Sequence, residues 1–331
     1  MIWDRKKRLS GRLISILVLI IIAAAALAFC VAAASFSAEA EDLEYYENEI
    51  EASAELRQIM KDRKGTAEIG IKGKTDQEGL QQIIGRLVAE ATEHTGKPDE
   101  GDYILFQYAS YKGQARTAIS GGSPVVELEY DLSYYDNKDQ EDEVDNKVKE
   151  IISELDLGNK TNHEKISAIH DYLCENIEYE AAEDENNIRR TAYGALVEGT
   201  AVCQGYSVSL YRLLLEAGID NRIIFGKGIS PIGTIGSHTW NIVNLYGKYY
   251  YIDCTWDDCK GDRDYFLVPT GSGFEDEHIA DESYGEDFFT ERYPMADEEF
   301  NTDIDSLLAT LEGMARSISE TMIKSFNETT E

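Results

Sequence analysis

Three residues in this chain are of the types, and at the spacings, that covalent acyl chemistry requires: Cys203, His238 and Asp253. Cys203 follows the stretch Tyr193-Gly-Ala-Leu-Val-Glu-Gly-Thr-Ala-Val, in which two glycines mark a loop. From Cys203 the apolar spacing predicts a helix running to Ala217, with Gly218 as its stop. A thiol at a helix N-terminus feels about half a positive charge and faces free backbone N–H groups. Both favour the thiolate, which is the nucleophile. The same N–H groups can bind the oxyanion formed when a thiolate attacks a carbonyl. Small Gly205 and Ser207 let another element approach the helix. On this stretch alone, a buried structural cysteine fits equally well.

The segment from Ser237 to Trp256 supplies a base and an acid. Residues 238–245 and 249–256 alternate as strands around Tyr246-Gly247. With a two-residue turn His238 pairs opposite Thr255, and Asp253 lies on the same face one diagonal step away. A four-residue loop puts His238 and Asp253 directly opposite, whereas an odd loop with a bulge separates them. In either even case the carboxylate can fix the tautomer of the imidazole and stabilise its cation. A cysteine brought to that ring completes a thiolate–imidazolium pair oriented by an acid.

Around these, Gln204 and Tyr193 are candidates for the oxyanion site, with packing the alternative for Tyr193. Trp240, two residues after His238 on the same strand face, either shields the site from water or is ordinary core. Asn241 and Asp258 fit turns and strand ends. The glycines 226, 228, 233 and 236 lead into His238 as a lip over a cleft or a long hairpin connection. His170 shares the apolar face of the helix opened by the capping-box sequence Thr161-Asn-His-Glu164, which reads as a packed histidine. Cys174, on the same face, reads as core. Cys254 and Cys259 are close enough to pair, though nothing demands it. Without a Cys-x-x-Cys motif, no structural metal site is expected.

Further elements must position this set. Residues 41–64 read as a polar helix or stalk, 76–95 as a helix, 103–111 and 126–132 as strands, and 139–156 as a helix. Strand patterns recur at 222–226 and 264–268, and residues 298–326 form an amphipathic helical pattern through Ile304, Leu307, Leu308, Leu311 and Ile318.

The helix-start cysteine, His238-Thr-Trp-Asn on one strand, and a Tyr-rich strand ending Asp253-Cys-Thr-Trp-Asp-Asp258 together resemble the transglutaminase-like superfamily, in particular its bacterial exported members. The resemblance covers roughly residues 145–280, including Lys165-Ile-Ser-Ala-Ile-His-Asp-Tyr172 and Ala192-Tyr-Gly-Ala-Leu196. It implies an α+β, papain-like core in which the cysteine helix packs on an antiparallel sheet carrying histidine and acid. It also implies Cys203 as nucleophile, His238 as general base and acid, and Asp253 as orienting residue, with no cofactor. The expected organisation is a membrane segment at 1–40, a small α+β region at 41–138, the core at 139–290, and an acidic helical tail at 291–331.

The address comes from the first residues. Arg5, Lys6, Lys7, Arg8 and Arg12 precede an apolar run from Leu13 to Ala34. As a helix it spans roughly 33 Å, enough to cross a hydrocarbon core of about 30 Å. The basic flank stays inside, placing the C-terminal domain outside the cell. Ala38-Glu39-Ala40 has the form of a cleavage site, so a secreted form is the alternative. The formal net charge of −32 excludes nucleic acid as a partner. The expected substrate is a peptide or protein, such as cell-wall peptide or a secreted protein. Two chemistries share the machinery: hydrolysis of amides, slightly favoured because it requires no second substrate site, and transfer of the acyl group to an amine in crosslinking. The rival reading is a non-catalytic module that holds peptide in the cleft.

Overall fold

The computed structural model describes residues 43–181, 187–230, 233–285, 287–311, 313–315 and 317–318. The apolar run 13–34 lies outside them. Among the described residues no helix is long and apolar enough to cross a membrane.

The chain divides into two compact units, the first comprising the described residues to Glu93 together with Tyr108–Tyr134. Here strand β1 (Tyr45–Tyr46), helix α1 (Glu49–Lys61), β2 (Thr66–Lys72), α2 (Gln77–Ala91), β3 (Tyr108–Ser120) and β4 (Ser123–Tyr134) form a sheet of order β1-β2-β4-β3 with two helices. Strand β4 alternates as expected, burying Val126, Leu128, Tyr130 and Leu132 while Glu129 and Asp131 face solvent. Residues 41–64 hold a short strand and a 13-residue helix, capped by Asn48. Strand β2 has no counterpart in the sequence reading, because its apolar residues are only Ala67, Ile69 and Ile71. Pairing along its full length with β4 supplies what its composition does not.

The second unit contains residues 94–107 and everything described from Tyr135 onward. Its helices are α3 (Asp102–Leu105), α4 (Lys138–Leu155), α5 (Asn162–Asn176), α6 (Ala192–Leu196), α7 (Cys203–Glu216), α8 (Cys254–Lys260) and α9 (Phe274–Glu277). Its strands are β5 (Glu178–Tyr179), β6 (Thr200–Ala201), β7 (Asn221–Ile229), β8 (Ile235–Leu245), β9 (Lys248–Ile252) and β10 (His278–Ala280). The main sheet is antiparallel with order β10-β7-β8-β9. This is a mixed α+β arrangement. Helix α7 is buried continuously from Gly205 to Leu215. Asn241 on β8 ties it to the sheet, donating through Nδ2 to the Ser207 carbonyl at 3.1 Å.

Three local expectations change. Strand pairing begins only at Tyr108, and residues 102–105 turn as a helix. There Asp102 takes the Arg222 guanidinium at 2.7 and 2.8 Å and the Ile223 amide at 2.9 Å. The strand expected over 249–256 ends at Ile252, because Asp253 leaves the ladder to cap α8. Residues 264–268 contribute only an isolated bridge, Tyr251 with Val268. In the tail, residues 305–311 are helical, yet Leu307 and Leu311 stay exposed, so this stripe caps nothing among the described residues.

Candidate active site

Helix α7 begins at Cys203, after extended Val202. The approach to that start is tight. A Cβ on Gly205 would sit 2.4 Å from the Arg189 carbonyl oxygen and 2.8 Å from the Ala201 Cβ, so only glycine fits there. The half-buried thiol therefore stands on a rigid helix end backed by the segment 189–201.

The β8–β9 hairpin closes with the two-residue turn Tyr246-Gly247, both residues in the left-handed region at φ 57° and 91°. Tyrosine is strained in that conformation. Its hydroxyl donates to Asp305 at 2.7 Å, which helps hold the turn. The register runs Leu245 with Lys248 and Asn241 with Ile252. Extended by one step, that count sets Asp253 opposite Trp240, diagonal to His238 and on its face. His238 Nε2 lies 2.6 Å from Asp253 Oδ2. The other carboxylate oxygen, Oδ1, accepts from the amides of Thr255 at 2.9 Å and Trp256 at 3.2 Å. A single residue thus caps α8 and holds the imidazole.

The His238 ring and Thr239 neighbour the Cys203 sulfur and act on its charge. With Nε2 committed to Asp253, Nδ1 is the ring nitrogen left for the thiol. Burial works against charge on His238, but the Asp253 carboxylate and the Cys203 sulfur outweigh it and raise its pKa to about 10. Burial likewise opposes the thiolate, and the imidazole and Thr239 overcome it, holding Cys203 below the usual thiol range. Asp253, although buried, is held well below the usual carboxylate range by His238 and then by His278. The ground state this favours is thiolate, imidazolium and carboxylate in a row.

His278 is the member that sequence reasoning missed. It lies on β10, the far edge of the sheet, and its Nε2 reaches Asp253 Oδ2 at 2.9 Å. Its strand partner is Gly228, where a Cβ would lie 3.0 Å from Trp256 and 3.1 Å from His238. The bare glycine leaves room for His238 and Trp256. The Gly226 and Gly228 of the expected lip are therefore ladder residues of β7.

Of the other candidates, Trp240 is fully buried and its ring lies 6.0 Å from that of His238, at 27° to it. Trp256 lies closer, at 5.0 Å and 26°. Two indole faces beside an imidazolium favour its charge. Gln204 donates through Nε2 to the Phe106 carbonyl and receives Arg190 at 3.4 Å, which turns its side-chain amide toward the support of the helix start. Tyr193 packs against the main core. Asp258 accepts the Tyr206 hydroxyl at 2.6 Å. All four described cysteines are free, and Cys254 does not pair with Cys259. Cys254 is buried at the first turn of α8 while Cys259 is exposed.

Residues 149–254 match the model of the transglutaminase-like superfamily. Human (Homo sapiens) kyphoscoliosis peptidase is 28% identical over 116 residues, covering 32% of this chain and 18% of the relative. The mouse (Mus musculus) protein is 28% identical over 118 residues, covering 33% and 18%. The match thus spans less than a fifth of either relative's length. A solved structure of a TGase is 15% identical with a TM-score of 0.30, covering 66% of this chain and 57% of the other. Across residues 149–254, this chain carries a transglutaminase-like superfamily domain.

Proposed function

We propose that the protein is a cysteine-dependent acyl-transfer enzyme acting on peptide or protein amides. The observation that carries this reading is His238, held by Asp253 at 2.6 Å and acting on the charge of a thiol at a helix start. In the reaction the Cys203 thiolate forms a bond to the amide carbonyl carbon, and the first-turn amides of α7 receive the oxyanion. The imidazolium of His238 gives its proton to the leaving amine as the C–N bond breaks, leaving a thioester on Cys203. His238, now neutral, takes a proton from the second nucleophile, which attacks the thioester and releases the Cys203 thiolate, restoring the thiolate–imidazolium pair. Asp253 keeps the ring oriented throughout.

Water as the second nucleophile makes the protein a peptidase or amidase, and an amine makes it a crosslinking enzyme. Hydrolysis is the favoured reading, since it calls for no second substrate site. The apolar run 13–34 with its basic flank supports a membrane-tethered protein working outside the cell on cell-wall peptide or secreted protein. The test is to incubate the full-length protein in detergent with a library of peptide amides, with and without a fluorescent amine. Released amine without label incorporation, abolished by Cys203→Ala, is the expected result. Incorporation of label would transfer the reading to crosslinking. Tight peptide binding with no turnover, unaffected by Cys203→Ala, would sink the enzyme reading in favour of a binding module.

A further inference from the structure

A second cluster of side chains lies outside this site. His170 and Cys174 stand one turn apart on α5, and Cys254 opens α8. The His170 Nε2, Cys174 Sγ and Cys254 Sγ atoms all lie within 4.8 Å of one another. We propose that His170, Cys174 and Cys254 form a three-ligand binding site for a zinc-class divalent metal ion.

Geometry carries the inference. Zinc takes thiolate at about 2.3 Å and imidazole at about 2.0–2.1 Å, so two such ligands in a tetrahedron stand roughly 3.6 Å apart. Cys174 Sγ lies 3.7 Å from His170 Nε2. Asp257, one turn after Cys254, brings Oδ2 to 2.9 Å from the same ring nitrogen, and its Oδ1 is anchored by the Tyr265 amide at 2.9 Å. The back of the ring is prepared as well. His170 Nδ1 lies 3.1 Å from Asp171 Oδ1, and Arg263 grips that carboxylate at 2.6 and 2.9 Å. A carboxylate behind the distal nitrogen fixes the tautomer that turns Nε2 toward a metal. His170 and Asp257 are buried and Cys174 is half-buried.

Two thiolates and one imidazole are a borderline-soft donor set, which selects zinc over calcium or magnesium. Both sulfurs and His170 Nε2 must be free of protons to bind the metal, so affinity falls in acid. Cys254 follows Asp253 directly, so a metal there would clamp the first turn of the helix that Asp253 caps. His238, Asp253 and His278 also bring ligand atoms within 4.8 Å of one another, and the test must separate the two clusters.

Full-length protein in detergent, reduced and stripped with chelator, is titrated with Co(II) and then with Zn(II). Expected is one equivalent of tetrahedral cobalt with a thiolate-to-cobalt charge-transfer band, displaced by zinc. Cys174→Ser and Cys254→Ser should lose that band, while Cys203→Ser and Cys259→Ser keep it. Zinc at a hundredfold excess over its dissociation constant should raise Tm by roughly 5–10 °C in the parent protein and not in Cys174→Ser. If the buried Cys254→Ser variant does not fold, Cys174→Ser carries the test alone. Cobalt binding without the band would overturn the proposal, as would a band lost with Cys203→Ser and kept in Cys174→Ser. A peptide map of the untreated protein joining Cys174 to Cys254 by a disulfide would also overturn it.

Discussion

Replacing Asp253 with Asn keeps the shape of the side chain and removes its charge. In the structure four donors converge on the carboxylate: His238 at 2.6 Å, His278 at 2.9 Å, and the amides of Thr255 and Trp256 at 2.9 and 3.2 Å. Asparagine has one oxygen, and the two backbone amides cannot become acceptors. The oxygen therefore stays with them and the NH2 group faces the two histidines. His238 must then accept at Nε2, which puts its proton on Nδ1 and ends its role as an acceptor for the thiol. Two hydrogen bonds to a charged group, at about 1.5–3 kcal/mol each, stabilise the present arrangement. Their loss corresponds to roughly 10²–10⁴-fold in the population of the thiolate–imidazolium form. The assay is iodoacetamide labelling followed residue by residue in mass spectra across pH 4–9, with circular dichroism to verify folding. At pH 6 a thiol of ordinary pKa is only about 0.1–0.3% ionised. Labelling of Cys203 at that pH should accordingly fall by up to about 10²–10³-fold in the variant. Residue resolution matters because Cys174 is itself lowered to about 6, first by its bond to Cys254 and further by His170 against the cost of burial. A folded Asp253→Asn protein whose Cys203 profile matches the parent would refute the coupling.

His278→Ala removes one of the two imidazole donors to Asp253 and should slow Cys203 labelling by about tenfold at pH 6, as one charge-assisted hydrogen bond implies; an unchanged rate would reduce His278 to packing. Gly228→Ala places a methyl group 3.0–3.1 Å from Trp256 and His238, and overpacking of this kind costs about 1–3 kcal/mol, read as a lower Tm together with slower labelling. In the pH profile, a histidine pKa raised from 6.5 to about 10 contributes stability that is full below 6.5 and lost as pH rises through about 10. Amide turnover should hold across neutral pH, decline toward pH 10 as His238 loses the proton meant for the leaving amine, and decline in acid as Cys203 gains one. A turnover profile that collapses above pH 7 would contradict this. Arg222→Ala strands Asp102 as an unpaired buried carboxylate and should cost about 3–5 kcal/mol in denaturant unfolding, whereas a loss below 1 kcal/mol would show that residues 94–107 are held to the second unit by other contacts.

The legible parts of this protein are those that local sequence decides. A glycine-bearing loop followed by an apolar run with helical spacing sets Cys203 at a helix start, since the periodicity can begin nowhere else. Tyr246-Gly247 between two alternating segments marks a hairpin, and for either even loop length side-chain alternation places His238 and Asp253 on one face. Local sequence also separates a strict alternation such as β4 from a capped helix such as α5. Other features exist only once distant segments meet. His278 lies 25 residues beyond Asp253, in a stretch with no period of its own, and it matters only because β10 pairs with β7 and its ring then reaches the carboxylate. Asp253 reads as a strand residue until the chain turns and its second oxygen caps α8. His170 and Cys174 look like the apolar face of an ordinary helix until α8 brings Cys254 and Asp257 against them. Secondary structure and the turn follow from forces between near neighbours, whereas sites built from side chains 80 or more residues apart depend on how the core closes, which no local pattern encodes.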